Sequence, residues 1–233
     1  MSEKTQRLID EISQFLAEER RLFGEWDTMS ANPRGQSSPP LQPGDCSSLE
    51  ELRKLCETTD DLKTDLENTR LVFGVGSPKA DLMVIGEAPG YHEDKQGEPF
   101  VGKAGQLLNK ILKAIKFERE EVYIANILKH RPPENRDPSG SERERSLPYL
   151  CRQIELIDPK IILCLGRVSA TTLLGIDESL SRMRGKFHSY MDRDLAVTYH
   201  PAALLRNPQW KRAAWEDVQM VRKRYDQLRG KTH

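Results

Sequence analysis

The stretch DLMVIGEAPGYHEDKQGEPFVGKAGQLL (81–108) passes from a continuous apolar run through a glycine-rich acidic loop into a segment with helical spacing. A continuous apolar run such as 82–85 is typical of a strand that is buried on both faces of a parallel sheet. Ligands of such sheets bind beyond the carboxyl ends of the strands. The loop 86–102 is therefore a candidate ligand-binding segment.

Three further apolar runs alternate with helical patterns along the rest of the chain. The predicted strands are DLMVIG (81–86), VYIANI (122–127), KIILCLG (160–166) and LAVTYH (195–200), and the predicted helices cover about 103–116, 141–157, 167–174 and 209–228. This alternation predicts an α/β fold, a three-layer α/β/α sandwich around a central, mainly parallel four-stranded sheet. Polar residues after three of the strands should then converge on one cleft.

The remaining composition limits the function classes. The 36 basic and 36 acidic residues balance, but from Arg182 onward twelve Lys and Arg residues stand against five Asp and Glu, which weakly favours a polyanionic partner there. There is no apolar run long enough to cross a membrane, and the N-terminus is charged from the start, so we expect a cytoplasmic protein with no membrane partner. The four cysteines show no CxxC pair and no zinc spacing, so no metal site is predicted.

The N-terminal part differs from the rest in composition. Residues 1–26 read as an amphipathic helix that packs either on the body or on an unknown partner protein. Residues 27–47 are rich in Pro, Ser and Gly and are predicted to be a flexible linker. The range 48–233 is the predicted catalytic domain.

Four residues at the predicted strand ends or in the loop 86–102 have side chains suited to a nucleobase site. Glu87 could orient a water molecule, Phe100 could stack on a planar base, and Asn126 could pair with the edge of a pyrimidine. His200 could donate a hydrogen bond to a developing oxyanion. Each has an ordinary alternative on sequence alone: an exposed acid for Glu87, a core aromatic for Phe100, a turn cap for Asn126 and a structural histidine for His200.

Three motifs in this order resemble the uracil-DNA glycosylase superfamily, most closely its family 4 branch. They are GEAPGYHEDKQGEPFVGKAGQLL, VYIANILKHRPPENRDP and HPAALLRNP, and the resemblance runs from about residue 48 to 225. It implies an enzyme that flips uracil out of DNA and hydrolyses the N-glycosidic bond, leaving an abasic site. The expected partner is uracil-containing DNA, single- or double-stranded, and we expect a monofunctional, monomeric hydrolase.

The resemblance also implies roles for residues of the uracil pocket. His200 would bond to uracil O2, Asn126 would read the N3 and O4 edge, and Phe100 would stack on the ring. Ala88 stands where the best-known branch carries an aspartate general base, so Glu87 is the remaining candidate for that role, and Ala88 is counted with the uracil-binding residues. Glu93 would crowd uracil C5 and exclude thymine.

Further residues are implied around the pocket. Asn135, in RPPENR, would belong to the catalytic loop. In HPAALLR, Leu204 would wedge into the stack that the flipped base leaves, with Leu205 beside it, and Arg206 would meet a phosphate or the orphan base.

One property of the family 4 branch does not carry over. Its members hold an iron–sulfur cluster on four cysteines, and the corresponding positions here are Cys56, Thr59, His130 and Ser146. Threonine and serine hydroxyls are poor iron ligands compared with thiolates. The sequence therefore predicts an enzyme without the cluster and with no other cofactor.

Two other functions remain open from the sequence. A related branch traps uracil-DNA covalently through a histidine in an inserted basic loop, but the segment after Arg131, PPENRDPSGSERER, has neither the insertion nor a histidine. The second alternative is a protein that binds uracil-DNA without catalysis. The presence of all four candidate site residues argues against that alternative.

Overall fold

The apolar run of the opening stretch forms the strand Leu82–Gly86 at the centre of a six-stranded sheet. The computed structural model describes residues 41–230 of the chain. The predicted helix 1–26 and residues 27–40 of the predicted linker lie outside the described residues. The strands are β1 (Val75–Gly76), β2 (Leu82–Gly86), β3 (Tyr123–Asn126), β4 (Ile161–Leu165), β5 (Phe187–Tyr190) and β6 (Arg193–Thr198).

The helices of the described residues follow the predicted alternation with the strands. They are α1 (Leu49–Thr58), α2 (Tyr91–Gln96), α3 (Lys103–Ala114), α4 (Gly140–Ile157), α5 (Arg167–Leu174), α6 (Leu180–Met183), α7 (Pro201–Arg206) and α8 (Lys211–Gly230). Short 3₁₀ turns form at Pro43–Asp45, Pro133–Asn135 and Pro208–Trp210. Within the range 41–230, no helix is long and apolar enough to cross a membrane.

The four predicted strands are the parallel centre of the sheet. The strand order is β1-β3-β2-β4-β6-β5, in which β3, β2, β4 and β6 run parallel and the two edge strands run antiparallel. The α/β fold class is confirmed, and the sheet has two more strands than predicted. One of them, β5, pairs with β6 through a two-residue turn, Met191–Asp192, with φ of 49° and 60°. Hairpin turns of this kind usually contain Asn-Gly, and Met-Asp is not a recognisable turn signal.

Each face of the sheet is covered by helices, which explains why the central strands are apolar at every position. Met83 and Ile85 of β2 pack on one face with Leu150 and Ile154 of α4. Alternate residues of the same strand pack on the other face with apolar residues of α3 and α8, namely Leu82 and Val84 with Leu108, Leu112, Val218 and Val221. Successive residues of a strand point to opposite faces of the sheet. A strand with a hydrophobic core on each face therefore has apolar residues at every position.

The structure differs from the predicted linker in its last residues. Residues 41–47 pack on the domain: Cys46 is buried, and its carbonyl oxygen accepts hydrogen bonds from the Arg152 guanidinium of α4 at 2.8 and 2.6 Å. The bidentate contact satisfies a backbone acceptor that burial would otherwise leave unpaired. Among the described residues, these last seven of the predicted linker therefore pack with the domain.

Candidate active site

The carboxyl ends of β2, β3 and β6 open on one cavity of about 730 Å³, which we call the strand-end cavity. Gly86 at the end of β2 is in register with Asn126 at the end of β3, so the loop after β2 starts beside the Asn126 side chain. Most of the predicted site residues line this cavity: Glu87, Ala88, Glu93, Phe100, Asn126, Asn135, His200 and Arg206. The structure thus brings together residues that lie up to 119 positions apart in the sequence.

Asn126 is buried at the bottom of the cavity with a hydrogen-bonding atom to spare. It is 2% exposed, and its Oδ1 makes no hydrogen bond to any described residue. A buried polar atom without a partner typically costs about 1–3 kcal/mol. Gly86 makes room for it, because a Cβ there would lie 2.4 Å from Asn126 Oδ1 and 2.5 Å from Phe100 Cζ. The amide is therefore an acceptor placed for a ligand.

Phe100 forms a wall of the cavity in an unusual backbone conformation. Its φ is 54°, in the left-handed region that residues other than glycine rarely adopt. Its ring is buried. Gly105 of α3 permits this conformation, since a Cβ there would come within 1.7 Å of the Phe100 carbonyl oxygen. The Phe100 ring lies 5.5 Å from the His200 ring. Strained residues of this kind are concentrated at ligand sites.

His200 precedes α7 and is held as a neutral donor. Its Nδ1 accepts a hydrogen bond from the backbone N–H of Ala202 at 3.2 Å, so the ring proton is on Nε2. Burial and, secondly, the positive charge of Arg206 lower the pKa of His200 to about 4. At neutral pH the imidazole is uncharged and its Nε2–H is available to donate.

Glu87 carries the carboxyl group whose protonation changes near neutral pH. Burial and, secondly, the neighbouring Asp137 carboxylate raise the pKa of Glu87 to about 7, while Arg143 opposes the shift. Two carboxyl groups close together cannot both ionise freely. A cavity acid with a pKa near 7 is suited to general acid–base work.

Glu93 ties the Phe100 loop to the helix before it. Its Oε1 accepts hydrogen bonds from the backbone N–H groups of Val101 and Gly102 at 2.9 and 3.0 Å. Together with Ala88, Glu93 lines the cavity. The contact gives this carboxylate a structural task, holding the wall residue in position, next to the role that the family resemblance implies.

Asn135 lies at the mouth of the cavity on the 3₁₀ turn after β3. Its side-chain oxygen accepts a hydrogen bond from Arg131 Nε at 2.8 Å. The next residue, Arg136, forms two hydrogen bonds with the Glu142 carboxylate at 2.7 and 2.9 Å and lines the cavity as well. The sequence did not suggest that Arg136 lines the cavity. Its partner Glu142 also belongs to the capping box at the start of α4.

Leu204 does not occupy the position that the sequence predicted for it. It is 2% exposed and packs with apolar residues of α3 and α8, including Leu107, Ile111 and Val218. Leu205, the next residue of α7, is 46% exposed. Successive residues on a helix point about 100° apart, so only one of the two leucines can face DNA. Arg206 is exposed beside it at the cavity rim.

Most of the chain is similar in sequence to proteins of one known family. Residues 73–219 match the family model of the uracil DNA glycosylase superfamily. The chain is 43% identical over 184 residues to a type-4 uracil-DNA glycosylase of Sulfurisphaera tokodaii, covering 75% of this chain and 84% of that protein. It is 42% identical over 170 residues to a type-4 uracil-DNA glycosylase of Archaeoglobus fulgidus, covering 68% and 85%. The chain belongs to the uracil DNA glycosylase superfamily.

Proposed function

We propose that this protein is a monofunctional DNA repair glycosylase that flips uracil out of DNA and hydrolyses its N-glycosidic bond, leaving an abasic site. The observation that carries the proposal is the buried, unpartnered Oδ1 of Asn126 at the bottom of the strand-end cavity. Uracil N3–H is a donor of the kind that this acceptor lacks. A base that fills the cavity removes the cost of the unpaired atom, whereas cytosine presents no donor at N3.

His200 would act on the charge that develops during the reaction. Breaking the bond between sugar and base leaves negative charge on the departing uracil, which is greatest near its carbonyl oxygens. A neutral imidazole with its proton on Nε2 can donate a hydrogen bond to uracil O2 with no change in its protonation state. The Ala202 contact fixes this tautomer before substrate binds.

Glu87 would orient the water molecule that attacks the sugar. Its carboxylate form accepts a hydrogen bond from water, and its position in the loop after β2 places it on the same cavity as the uracil-reading amide. Hydrolysis by water is the expected route, because a glycosylase that also cleaves the strand uses an amine nucleophile. Among the cavity-lining residues that the structure describes, none is a lysine.

Leu205 and Arg206 would meet the DNA at the rim of the cavity. An exposed leucine at the end of α7 can enter the base stack that the flipped nucleotide leaves, at a cost of a few kcal/mol for unstacking. The adjacent guanidinium can neutralise a phosphate.

We also propose that the protein is a cytoplasmic monomer. Its four free thiols fit a reducing compartment.

The iron–sulfur cluster of related enzymes does not fit the residues present here, and we propose that the enzyme works without it. Cys56 is the one cysteine among the four positions that correspond to the cluster ligands, whereas a cluster of this kind needs four thiolates. Thr59 Oγ1 lies 3.2 Å from the Tyr149 hydroxyl, and His130 Nδ1 lies 3.0 Å from Thr69 Oγ1. No group of three or more metal-ligating side chains occurs among residues 41–230. Hydrogen bonds and packing would hold these segments together.

Protein purified anaerobically should therefore be colourless, folded and active. The measurement is the iron and sulfide content per chain together with the visible absorption spectrum. A relative that carries four cysteines at these positions, purified in parallel, shows that the procedure preserves clusters. Stoichiometric iron and sulfide in this protein would contradict the proposal.

A single assay tests the proposed reaction against its two alternatives. The protein is incubated with single-stranded and duplex oligonucleotides that contain one uracil. Free uracil and alkali-labile strands are the expected products, with no strand cleavage before alkali. An adduct that survives denaturant would show covalent trapping, and a mobility shift without uracil release would show binding alone. The segment 132–145, which lacks the histidine of the trapping branch, favours release.

A further inference from the structure

The strand-end cavity extends beyond the residues that would read uracil. At about 730 Å³ it falls within the range of about 300–1,000 Å³ that holds drug-sized ligands, and a uracil ring is much smaller than such a ligand. The surplus lining includes two aromatic residues, Tyr199 and Trp210. Neither residue has a role in the uracil site proposed above.

Tyr199 and Trp210 form a pair of stacked rings. Their centroids lie 5.0 Å apart with an interplanar angle of 20°, and we call them the Tyr199–Trp210 stack. Trp210 is 37% exposed, so part of its ring is open to a ligand in the cavity that it lines. Tyr199 directly precedes His200, so the stack adjoins the proposed uracil pocket.

The stack is held in place by contacts that have no part in uracil recognition. The Arg184 guanidinium lies 5.6 Å from the Tyr199 ring centroid, and the buried Asp217 carboxylate accepts from Arg184 Nε at 2.9 Å. Trp210 is held by the 3₁₀ turn Pro208–Trp210, which is closed by a hydrogen bond from the Trp210 backbone N–H to the Asn207 carbonyl oxygen at 3.1 Å. A rigid, partly exposed aromatic pair is a preorganised stacking surface.

We propose that the Tyr199–Trp210 stack is a second base site, which binds the unpaired nucleobase adjacent to the flipped uracil on the same strand. This inference rests on the proposed function and adds a subsite to it. Every nucleobase has a π-face, so the site takes any base, and Arg206 at the same rim can contact the phosphate between the two nucleotides. The stack would strengthen binding of single-stranded DNA, in which the adjacent base has no partner to leave.

Trp210→Ala should weaken binding of a single-stranded 11-mer that contains one hydrolysis-resistant 2′-fluorinated deoxyuridine. Loss of one base–aromatic stack corresponds to a dissociation constant about 5- to 150-fold higher. Trp210→Phe keeps a ring and should lose much less. Trp215→Ala is the matched control, because Trp215 is similarly exposed on α8 but does not line the cavity. Thermal unfolding of each variant checks the fold.

Abasic substitutions in the oligonucleotide locate the contact. Removing the base on one side of the uracil should weaken binding to the wild-type protein by the same factor as Trp210→Ala, and should not weaken binding to that variant further. The inference would be overturned if Trp210→Ala lost the same affinity for the intact and the abasic oligonucleotide. It would also be overturned if the substitution weakened binding of duplex DNA only, or did not weaken binding at all. Uracil release by the wild-type protein, measured in parallel, separates failure of the subsite from failure of the proposed function.

A fluorescence titration gives an independent reading without changing Trp210. In a variant with Trp26→Phe and Trp215→Phe, Trp210 is the remaining tryptophan. Stacking of a base on its ring should quench its emission as the 2′-fluorinated 11-mer is added. The abasic oligonucleotide should quench it much less, and equal quenching by both would overturn the proposal.

Discussion

Replacing His200 by alanine should lower the single-turnover rate of uracil excision about 10²- to 10³-fold, the usual effect of removing one oxyanion donor. Substrate affinity should change much less, because the bond to uracil O2 strengthens only as the bond to the sugar breaks. Rapid-quench measurement with saturating enzyme reports this step alone.

His200→Gln is the informative control for this prediction. A glutamine amide can donate a hydrogen bond from a similar position, so this variant should recover part of the lost rate. Because burial lowers the pKa of His200 to about 4, the imidazole stays neutral above pH 5. The residue should therefore add no limb to the pH profile between pH 5 and 9. Wild-type rates in folded His200→Ala protein would remove His200 from the mechanism.

Replacing Glu87 by glutamine should lower the same rate about 10²- to 10⁴-fold, the range typical of a positioned general base. Glutamine keeps the size of the side chain but cannot take a proton from water. The pKa of Glu87 is about 7, and the carboxylate is the form that orients water. The wild-type rate should therefore rise with pH through about 7 and then level off. In Glu87→Gln this limb should be absent, and an unchanged limb would assign it to another group.

Asp137→Asn tests the origin of that limb. The Asp137 charge and hydrogen bond both raise the pKa of Glu87. Without the negative charge, Glu87 should ionise more easily, and the rising limb should move to lower pH while the plateau rate is kept. A limb that stays in place would show that burial alone governs the ionisation.

Much of the fold was predictable because its signals are local. Each central strand is a continuous apolar run, and each helix of the sandwich has its own apolar spacing. Those signals also placed Glu87, Asn126 and His200 at the same edge of the sheet. The edge strand β5 was missed because its turn uses Met191 and Asp192, where positive φ is imposed by pairing with β6 and not by the residue types.

The details of the site depend on orientation and distant contacts, which a single sequence does not encode visibly. Leu204 and Leu205 are identical in type, and only the direction of α7 decides that one is core and the other exposed. Arg136 meets Glu142 across a loop, and Tyr199 meets Trp210 across a helix. Cys46 looked like part of a linker because its partner, Arg152, lies 106 residues away.

The left-handed backbone at Phe100 has a consequence for any effort to change which base the enzyme accepts. A side chain at Gly105 would collide with the main chain of Phe100, and a side chain at Gly86 would collide with the Phe100 ring and with Asn126 Oδ1. The position of this wall therefore depends on two glycines that leave no room for a larger residue. Laboratory selection for other bases should return few active variants with substitutions at Gly86 or Gly105.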